Sequence, residues 1–148
     1  MAATAWSFYD SFREYLGDGD FALDGGSVNF FMALHTSAAS AQVNTATITA
    51  QSEVGNEVAN GNGYATGGLS VSGRTWDAGA SAGVFRFDST ACVWTATGGD
   101  ISNVKYAVIY QSGGKLVCFS KLSTSQFDLP QDNTLTVTPS SNGIFELT

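Results

Sequence analysis

The chain has 148 residues, a length that fits one domain with a single core and needs no disulfide or metal to fold. Only 13% of its residues are charged and the formal net charge is −7, with the basic residues scattered singly, so we expect no binding to nucleic acid and no binding to an anionic membrane. The surface must then be mostly neutral and polar. Such a surface is typical of proteins packed against other proteins, and also of many small β domains.

Residues 1–17 predict a short amphipathic helix. Their aromatic and leucine side chains recur largely at three- and four-residue spacing, with Ser7 as a candidate N-cap and Gly17 just past the expected end. The start of the chain has no positively charged leader before an apolar core. The chain also lacks an apolar run near the roughly eighteen residues that a membrane span needs. We therefore expect a protein made in the cytosol without an export signal.

Beyond this helix the apolar period shortens to two and β-forming residues dominate. The predicted strands are residues 28–35, 69–72, 84–87, 92–95, 104–110, 116–121, 135–138 and 144–147. About eight short strands separated by turn residues predict a mainly β fold, a jelly-roll-like β-sandwich formed by one domain over residues 1–148. Asn142-Gly143 predicts a two-residue hairpin turn between the last two strands.

Two segments break the strand pattern. Residues 36–63 carry Ser, Ala, Thr, Gln and Asn without a strong apolar stripe, which predicts a long irregular loop with a function or an arm that reaches a neighbour. Residues 56–76 are rich in glycine and contain the turn dipeptides Asn60-Gly61 and Asn62-Gly63. Apolar residues within this second segment have to dock on something, so we expect a shaped loop and not a linker.

Patterns for catalysis are weak. His35 is the only histidine and follows a predicted strand without a nucleophile motif, which favours a structural role over catalysis. Glu53 and Glu57 could in principle be the carboxylate pair of a glycosidase, but they lie at helical spacing in a glycine-rich loop, which favours solvation or capping. We expect no catalytic residue and no cofactor.

Patterns for metal binding and for disulfides are weak as well. Asp18, Asp20 and Asp24 supply oxygens at alternate positions, as calcium loops do, but the remaining ligands of such a loop are out of place, so we expect no metal site. Cys92 and Cys118 lie in apolar strand-like runs that favour buried free thiols, and a disulfide would require their strands to be neighbours.

Several short motifs occur in a fixed order along the chain. They are Phe12-Arg-Glu-Tyr-Leu-Gly-Asp-Gly, Val28-Asn-Phe-Phe-Met-Ala-Leu-His-Thr-Ser, Asn56-Glu-Val, Gly61-Asn-Gly-Tyr-Ala-Thr-Gly-Gly, Val93-Trp-Thr, Tyr106-Ala-Val-Ile-Tyr and Asn142-Gly-Ile-Phe-Glu-Leu-Thr. Taken together they cover nearly the whole chain, which resembles the small virion structural proteins of tailed bacteriophages, in particular those that decorate the capsid. Residues 36–63 depart from that family in length and composition.

The resemblance implies a non-enzymatic, β-rich capsid decoration or cement protein. Such a protein is synthesised in the host cytoplasm and binds the outer surface of the head lattice of the virion. Its partners would be the major capsid protein and its own copies, as a dimer or trimer. A tail, collar or receptor-binding component of the virion is the alternative, and a carbohydrate-binding module or glycosidase, suggested by Trp76 and Trp94, is a third possibility.

Candidate interface residues follow from the surplus of aromatic side chains near the start of the chain. They outnumber what one face of so short a helix usually buries, and the shaped loop adds two more candidates. The candidates are Trp6, Phe8, Tyr9, Phe12, Tyr15, Asn60 and Tyr64. The alternative is that the N-terminal aromatics form the core between the helix and the sandwich.

Overall fold

A computed structural model of the chain describes residues 5–24, 26, 28–39, 43 and 46–148. These residues form twelve strands: β1 (Ser7–Phe8), β2 (Phe30–His35), β3 (Leu69–Ser70), β4 (Thr75–Ala78), β5 (Phe85–Asp88), β6 (Cys92–Thr95), β7 (Ile101–Val104), β8 (Tyr106–Gln111), β9 (Leu116–Lys121), β10 (Phe127–Leu129), β11 (Thr134–Val137) and β12 (Phe145–Leu147). Helix α1 spans Asp10–Gly17, a 3-10 turn spans Ser37–Ala39 and helix α2 spans Gln51–Val54.

Helix α1 is shorter than the sequence predicts, and it begins after a strand. Ser7 is not its N-cap, because Ser7 lies in β1 and pairs with Phe119 of β9. Tyr9 takes the cap position with an extended backbone, and Asp10 places a carboxylate in the first turn, where the helix dipole favours negative charge. The chain then turns at Gly19, whose φ of 75° suits glycine.

Strands β5 to β12 pair in a nested order. The pairs are β5 with β12, β6 with β11, β7 with β10, and β8 with β9, and all are antiparallel. The outermost rung joins Phe85 to Leu147, and the innermost joins Tyr110 to Leu116. This part of the chain is therefore one long two-stranded ribbon, bent where the register shifts or the strands are interrupted.

The predicted hairpin between the last two strands is wrong. Asn142 does sit in a tight turn, closed by backbone hydrogen bonds of 3.2 and 2.9 Å between Ser140 and Gly143. The flanking strands then separate, because β11 pairs with β6 while β12 pairs with β5. A turn residue sets the local reversal but not which strand each arm will pair with.

The five-stranded sheet, in the order β1-β9-β8-β2-β3, is covered on both faces. Along β8, Ala107 and Ile109 join the main core, while Tyr106 and Val108 join a second cluster on the opposite face. That second cluster also contains residues of the 36–63 segment, namely Ala39, Val43, Ile48 and Val54. The described part of this segment is mostly irregular, as the sequence predicts, but it covers the sheet and is not a free arm.

The prediction of a mainly β chain is confirmed, and each of the eight predicted strands is present with its ends shifted by at most a few residues. The strands that the sequence did not predict have two to four residues each, and one of them, β7, is separated from β8 by the single residue Lys105. Hydrogen bonds join the described strands into separate open sheets of five, two, two and three strands. The jelly-roll-like sandwich therefore stays a prediction.

Candidate interaction surface

The N-terminal aromatic residues divide into buried and partly exposed side chains. Tyr9 is 2% exposed and Phe12 is 1% exposed, so neither offers surface to a partner, and their prediction as interface residues is corrected. Phe12 stacks on Phe8 at 4.9 Å between ring centroids and meets Phe145 edge-on at 5.4 Å. Trp6, Phe8 and Tyr15 remain partly exposed. The apolar core therefore accounts for part of the aromatic surplus.

The shaped loop is organised by the carboxylate of Glu57. Its Oε1 accepts hydrogen bonds of 2.6 Å from both the Tyr64 hydroxyl and the Gly67 N–H, and its Oε2 accepts one of 3.3 Å from Gln51. Tyr64 is only 2% exposed, so its prediction as an interface residue is corrected as well. Burial is the larger cause that raises the pKa of Tyr64, and the hydrogen bond to Glu57 raises it further.

Asn60 is exposed and supports the same loop. Its side-chain oxygen accepts a hydrogen bond of 3.2 Å from the Thr66 N–H. Asn60 also lines a polar cavity of about 300 Å³ together with Asn62, Asp100 and Asn103. The side chains of Asn62 and Asp100 already bond to the backbones of Asp100 and Gln131, so they hold loops together. Asn60 stays a candidate contact residue.

His35 is buried beside this loop. It is 1% exposed, and its Nδ1–H donates to the Gly55 carbonyl over 2.8 Å, which leaves Nε2 without a hydrogen-bond partner among the described residues. Burial lowers the pKa of His35, opposed by the Gly55 bond and the nearby charge of Glu57. A buried imidazole that is already bonded to a carbonyl fits the structural role that the sequence favours.

The two glutamates of the weak glycosidase pattern have separate structural roles. Glu53 Oε2 accepts bonds of 2.7 Å from the Thr49 N–H and 2.9 Å from the Ala50 N–H, so it caps the start of α2, and these bonds lower the pKa of Glu53. Glu57 is occupied by Tyr64 and Gly67. Both carboxylates are thus engaged in holding the backbone, as the capping alternative expects.

The aspartates of the calcium pattern are not brought together as ligands. Asp20 forms an ion pair of 2.6 Å with Lys115, and Asp24 accepts a weak hydrogen bond of 3.4 Å from the Gly26 N–H. Within the described ranges, no group of three or more His, Cys, Asp or Glu side chains is placed to hold a metal ion.

Both cysteines are buried free thiols, as the sequence favours. Cys118 is fully buried in the main core and burial raises its pKa, as it does for Cys92. Trp94 is 1% exposed in the same core, so it has no free ring face for a sugar. Of the two tryptophans that suggested carbohydrate binding, only Trp76 keeps exposed surface.

An exposed apolar surface lies where β4 and β5 meet the end of α1. Phe85 is 47% exposed, and its ring lies nearly parallel to that of Trp76, with 5.9 Å between centroids. Beside Trp76 is a groove of about 350 Å³ whose apolar walls include Leu16 and Phe21. We call Leu16, Phe21, Trp76 and Phe85 the Trp76–Phe85 surface.

Phe85 lies in a predicted strand, and the sequence does not indicate that it belongs to an exposed surface. The alternation in Phe85-Arg86-Phe87 places both phenylalanines on one face of β5. An apolar face of a strand is predicted to be buried. Phe87 is buried and Phe85 is not, because the elements that cover this face stop short of Phe85. Only the tertiary structure shows where that cover ends.

No protein-family model, curated protein or solved structure matches this chain. None of the helices in the described part of the chain is long and apolar enough to cross a membrane.

Proposed function

We propose that this protein is a structural component of a tailed-bacteriophage virion that decorates the capsid by binding the outer surface of the head lattice. The observation that carries the proposal is the Trp76–Phe85 surface. It groups Phe85, 47% exposed, with three further partly exposed apolar side chains. Clustered apolar surface of this kind marks contacts with other proteins more often than isolated apolar residues do.

Composition supports the same proposal. The charged share of 13% leaves a surface of mainly neutral polar side chains, which costs less desolvation than a charged surface when another protein covers it. The net charge of −7 suits a position outside the capsid, away from packaged DNA. The proposed partners are the major capsid protein and further copies of this chain, as a dimer or trimer.

The finer fold that we propose is a jelly-roll-like sandwich. The nested pairing of β5 to β12 is the order expected when a long antiparallel ribbon is rolled up into two packed sheets. One departure is that β8 has β2 as its second neighbour, so the first part of the chain is inserted into the roll. An experimental structure in which the sheets pack differently would overturn this proposal.

The test of the function is a copy count on purified virions by quantitative mass spectrometry, relative to the major capsid protein. We expect hundreds of copies, close to one for each capsid subunit. A few to a few dozen copies would instead support the alternative, a tail, collar or receptor-binding component. Absence from purified particles would overturn both.

A second experiment tests the surface. Heads that lack this protein should bind the wild-type chain saturably and the Phe85→Ser variant much more weakly. Val93→Ser is the matched control, because Val93 is 48% exposed but lies on β6, outside the Trp76–Phe85 surface. Equal loss of binding in both variants would argue against this surface as the contact.

A further inference from the structure

The sheet β4–β5–β12 has two unlike faces. Cross-strand pairing sets Trp76 opposite Phe87 and Ala78 opposite Phe85, and β12 adds Phe145 and Leu147 to the same face. The intervening pairs, which include Asp77, Arg86 and Glu146, lie on the other face. On the first face, the strands themselves therefore supply only apolar side chains.

The inner half of this apolar face is covered and the outer half is not. Phe8 contacts Phe145 at 4.8 Å between centroids and Phe30 contacts Phe87 at 5.7 Å, so these rings belong to the main core. Phe85 lies on the same face but is 47% exposed. Val93 is exposed for a different reason, because it alternates with the buried Cys92 and Trp94 and so points away from the core.

The groove beside Trp76 is shaped to take a side chain from outside. Its volume of about 350 Å³ leaves room for one large side chain between Leu16, Phe21 and Trp76. The indole N–H of Trp76 is the one hydrogen-bonding group that the strands add to this face, and Asp24 is the one charged side chain among the described residues that line the groove. A sugar ring needs several polar partners around its hydroxyl groups, so an apolar side chain of a protein suits the groove better.

One side of the groove belongs to an acidic segment, of which Asp24 lines the groove itself. The segment after α1 carries Asp18, Asp20 and Asp24, and it follows the negative end of the helix dipole. Two cations lie nearby. Lys115 pairs with Asp20 and packs on Tyr15, while Arg74 lies over the Phe30 ring at 4.9 Å and interacts electrostatically with Asp24. Three carboxylates therefore stand against two cations, which leaves an excess of negative charge.

The excess of negative charge beside the groove affects which partner can bind there. A second copy of the chain would bring the same acidic segment and another net charge of −7 to a self-complementary contact. A basic partner would gain favourable electrostatic interaction at the same place. Charge complementarity therefore favours a different protein over a second copy.

We propose that the Trp76–Phe85 surface docks a short segment of a partner protein in which a large apolar side chain is flanked by Lys or Arg. The apolar side chain enters the groove between Leu16 and Trp76 and contacts the Phe85 ring, and the flanking cations face the carboxylates of the 18–24 segment. The inference rests on the proposed function, in which that segment belongs to the head lattice.

The test uses synthetic peptides and the full chain labelled with ¹⁵N. One short peptide alternates Lys and Leu around a central Phe, a second has Glu in place of Lys, and a third has Ser in place of Leu and Phe. We expect the first peptide to shift the indole N–H resonance of Trp76 but not that of the buried Trp94. Binding should weaken as salt is raised, because part of the attraction is between exposed charges.

Variants locate the binding site. Phe85→Ser should weaken binding of the first peptide by about tenfold, the loss expected for a contact residue of moderate importance. Val93→Ser should leave the affinity unchanged. Because Phe85 is half exposed, its replacement should leave the fold intact, which unchanged resonances elsewhere would verify.

Three results would overturn the inference. They are the absence of binding by the first peptide, equal binding of the Glu peptide, and an affinity that Phe85→Ser does not change. Concentration-dependent dimerisation that Phe85→Ser abolishes would assign the surface to a second copy instead, and a Trp76 shift caused only by added oligosaccharides would assign it to a sugar. None of these results depends on the copy count, so failure of the inference is distinguishable from failure of the proposed function.

Discussion

The hydroxyl of Tyr64 donates a 2.6 Å hydrogen bond to Oε1 of Glu57. The same Tyr64 oxygen accepts a bond of 3.0 Å from the Leu34 N–H in strand β2. One buried side chain therefore joins the glycine-rich loop to the five-stranded sheet.

Tyr64→Phe removes this connection without opening a cavity. It leaves the Leu34 N–H and the Glu57 carboxylate short of one partner each, so we expect a loss of about 1–3 kcal/mol in the free energy of unfolding. Urea denaturation measures it. The control is Tyr110→Phe, because the Tyr110 hydroxyl donates to the Gly67 carbonyl at 2.8 Å and Tyr110 is partly exposed. Equal losses in the two variants would contradict the role given to Tyr64.

Acid should destabilise the fold through His35. Burial lowers the pKa of His35 in the folded chain, whereas in the unfolded chain it is roughly 6.5. The unfolded chain therefore binds the proton first. The stability contributed by neutral His35 is complete above about pH 6.5 and is lost as the pH falls towards the lowered folded pKa, by at most about 1.4 kcal/mol per pH unit.

His35→Asn isolates this effect, since asparagine retains an N–H donor for the Gly55 carbonyl but does not titrate. His35 is the only histidine, so the wild-type chain should lose stability relative to the variant as the pH falls below about 6.5. Chemical denaturation at several pH values gives the comparison. Parallel pH profiles for the two proteins would show that His35 is not responsible.

Gly68 should tolerate no side chain. A Cβ atom at Gly68 would lie 1.9 Å from the Met32 carbonyl oxygen, and φ there is +76°. Gly113 has a similar φ of +95°, but a Cβ at that position has open space around it. We expect Gly113→Ala to cost about 1–2 kcal/mol from backbone strain and Gly68→Ala to cost more than about 4 kcal/mol or to prevent folding. Similar thermal midpoints for the two variants would disprove the close approach.

Phe12→Ala tests the corrected role of the N-terminal aromatics. Phe12 is 1% exposed and contacts Phe8, Phe21 and Phe145, so we expect a loss of about 3–5 kcal/mol in the free energy of unfolding. The adjacent Arg13 is exposed, and Arg13→Ala should leave stability nearly unchanged. If Phe12→Ala weakened only attachment to particles and not the fold, Phe12 would be an interface residue after all.

Local patterns predicted the strands well and their partners poorly. The bounds of Cys92–Thr95 and Leu116–Lys121 match the prediction. The first strand alternates buried and exposed residues, and the second is a nearly continuous buried run. The sequence predicts helix at strand β1, because Trp6 with Tyr9 and Phe8 with Phe12 have helical spacings of three and four. Which strands pair is a non-local choice that no single segment encodes.

The candidate surface shows the same limit. Trp76 was noted as an aromatic of interest, and alternation placed Phe85 on an apolar face, but neither fact says what covers that face. The role of Glu57 could not be predicted from the sequence either, because its hydrogen-bond partners Gln51, Tyr64 and Gly67 come together only after the loop has folded. Residues with unusual burial for their type were thus the hardest to assign.

The nested ribbon also sets an order of events during folding. Gln111 and Lys115 bond across a tight turn, whereas Phe85 must find Leu147 at the far end of the ribbon. Closing the short loop costs much less entropy, so the ribbon should form from its tip outwards, each rung shortening the loop for the next. During synthesis β5 leaves the ribosome long before β12, and until then the edge of β5 that will carry β12 is free to pair wrongly with another chain.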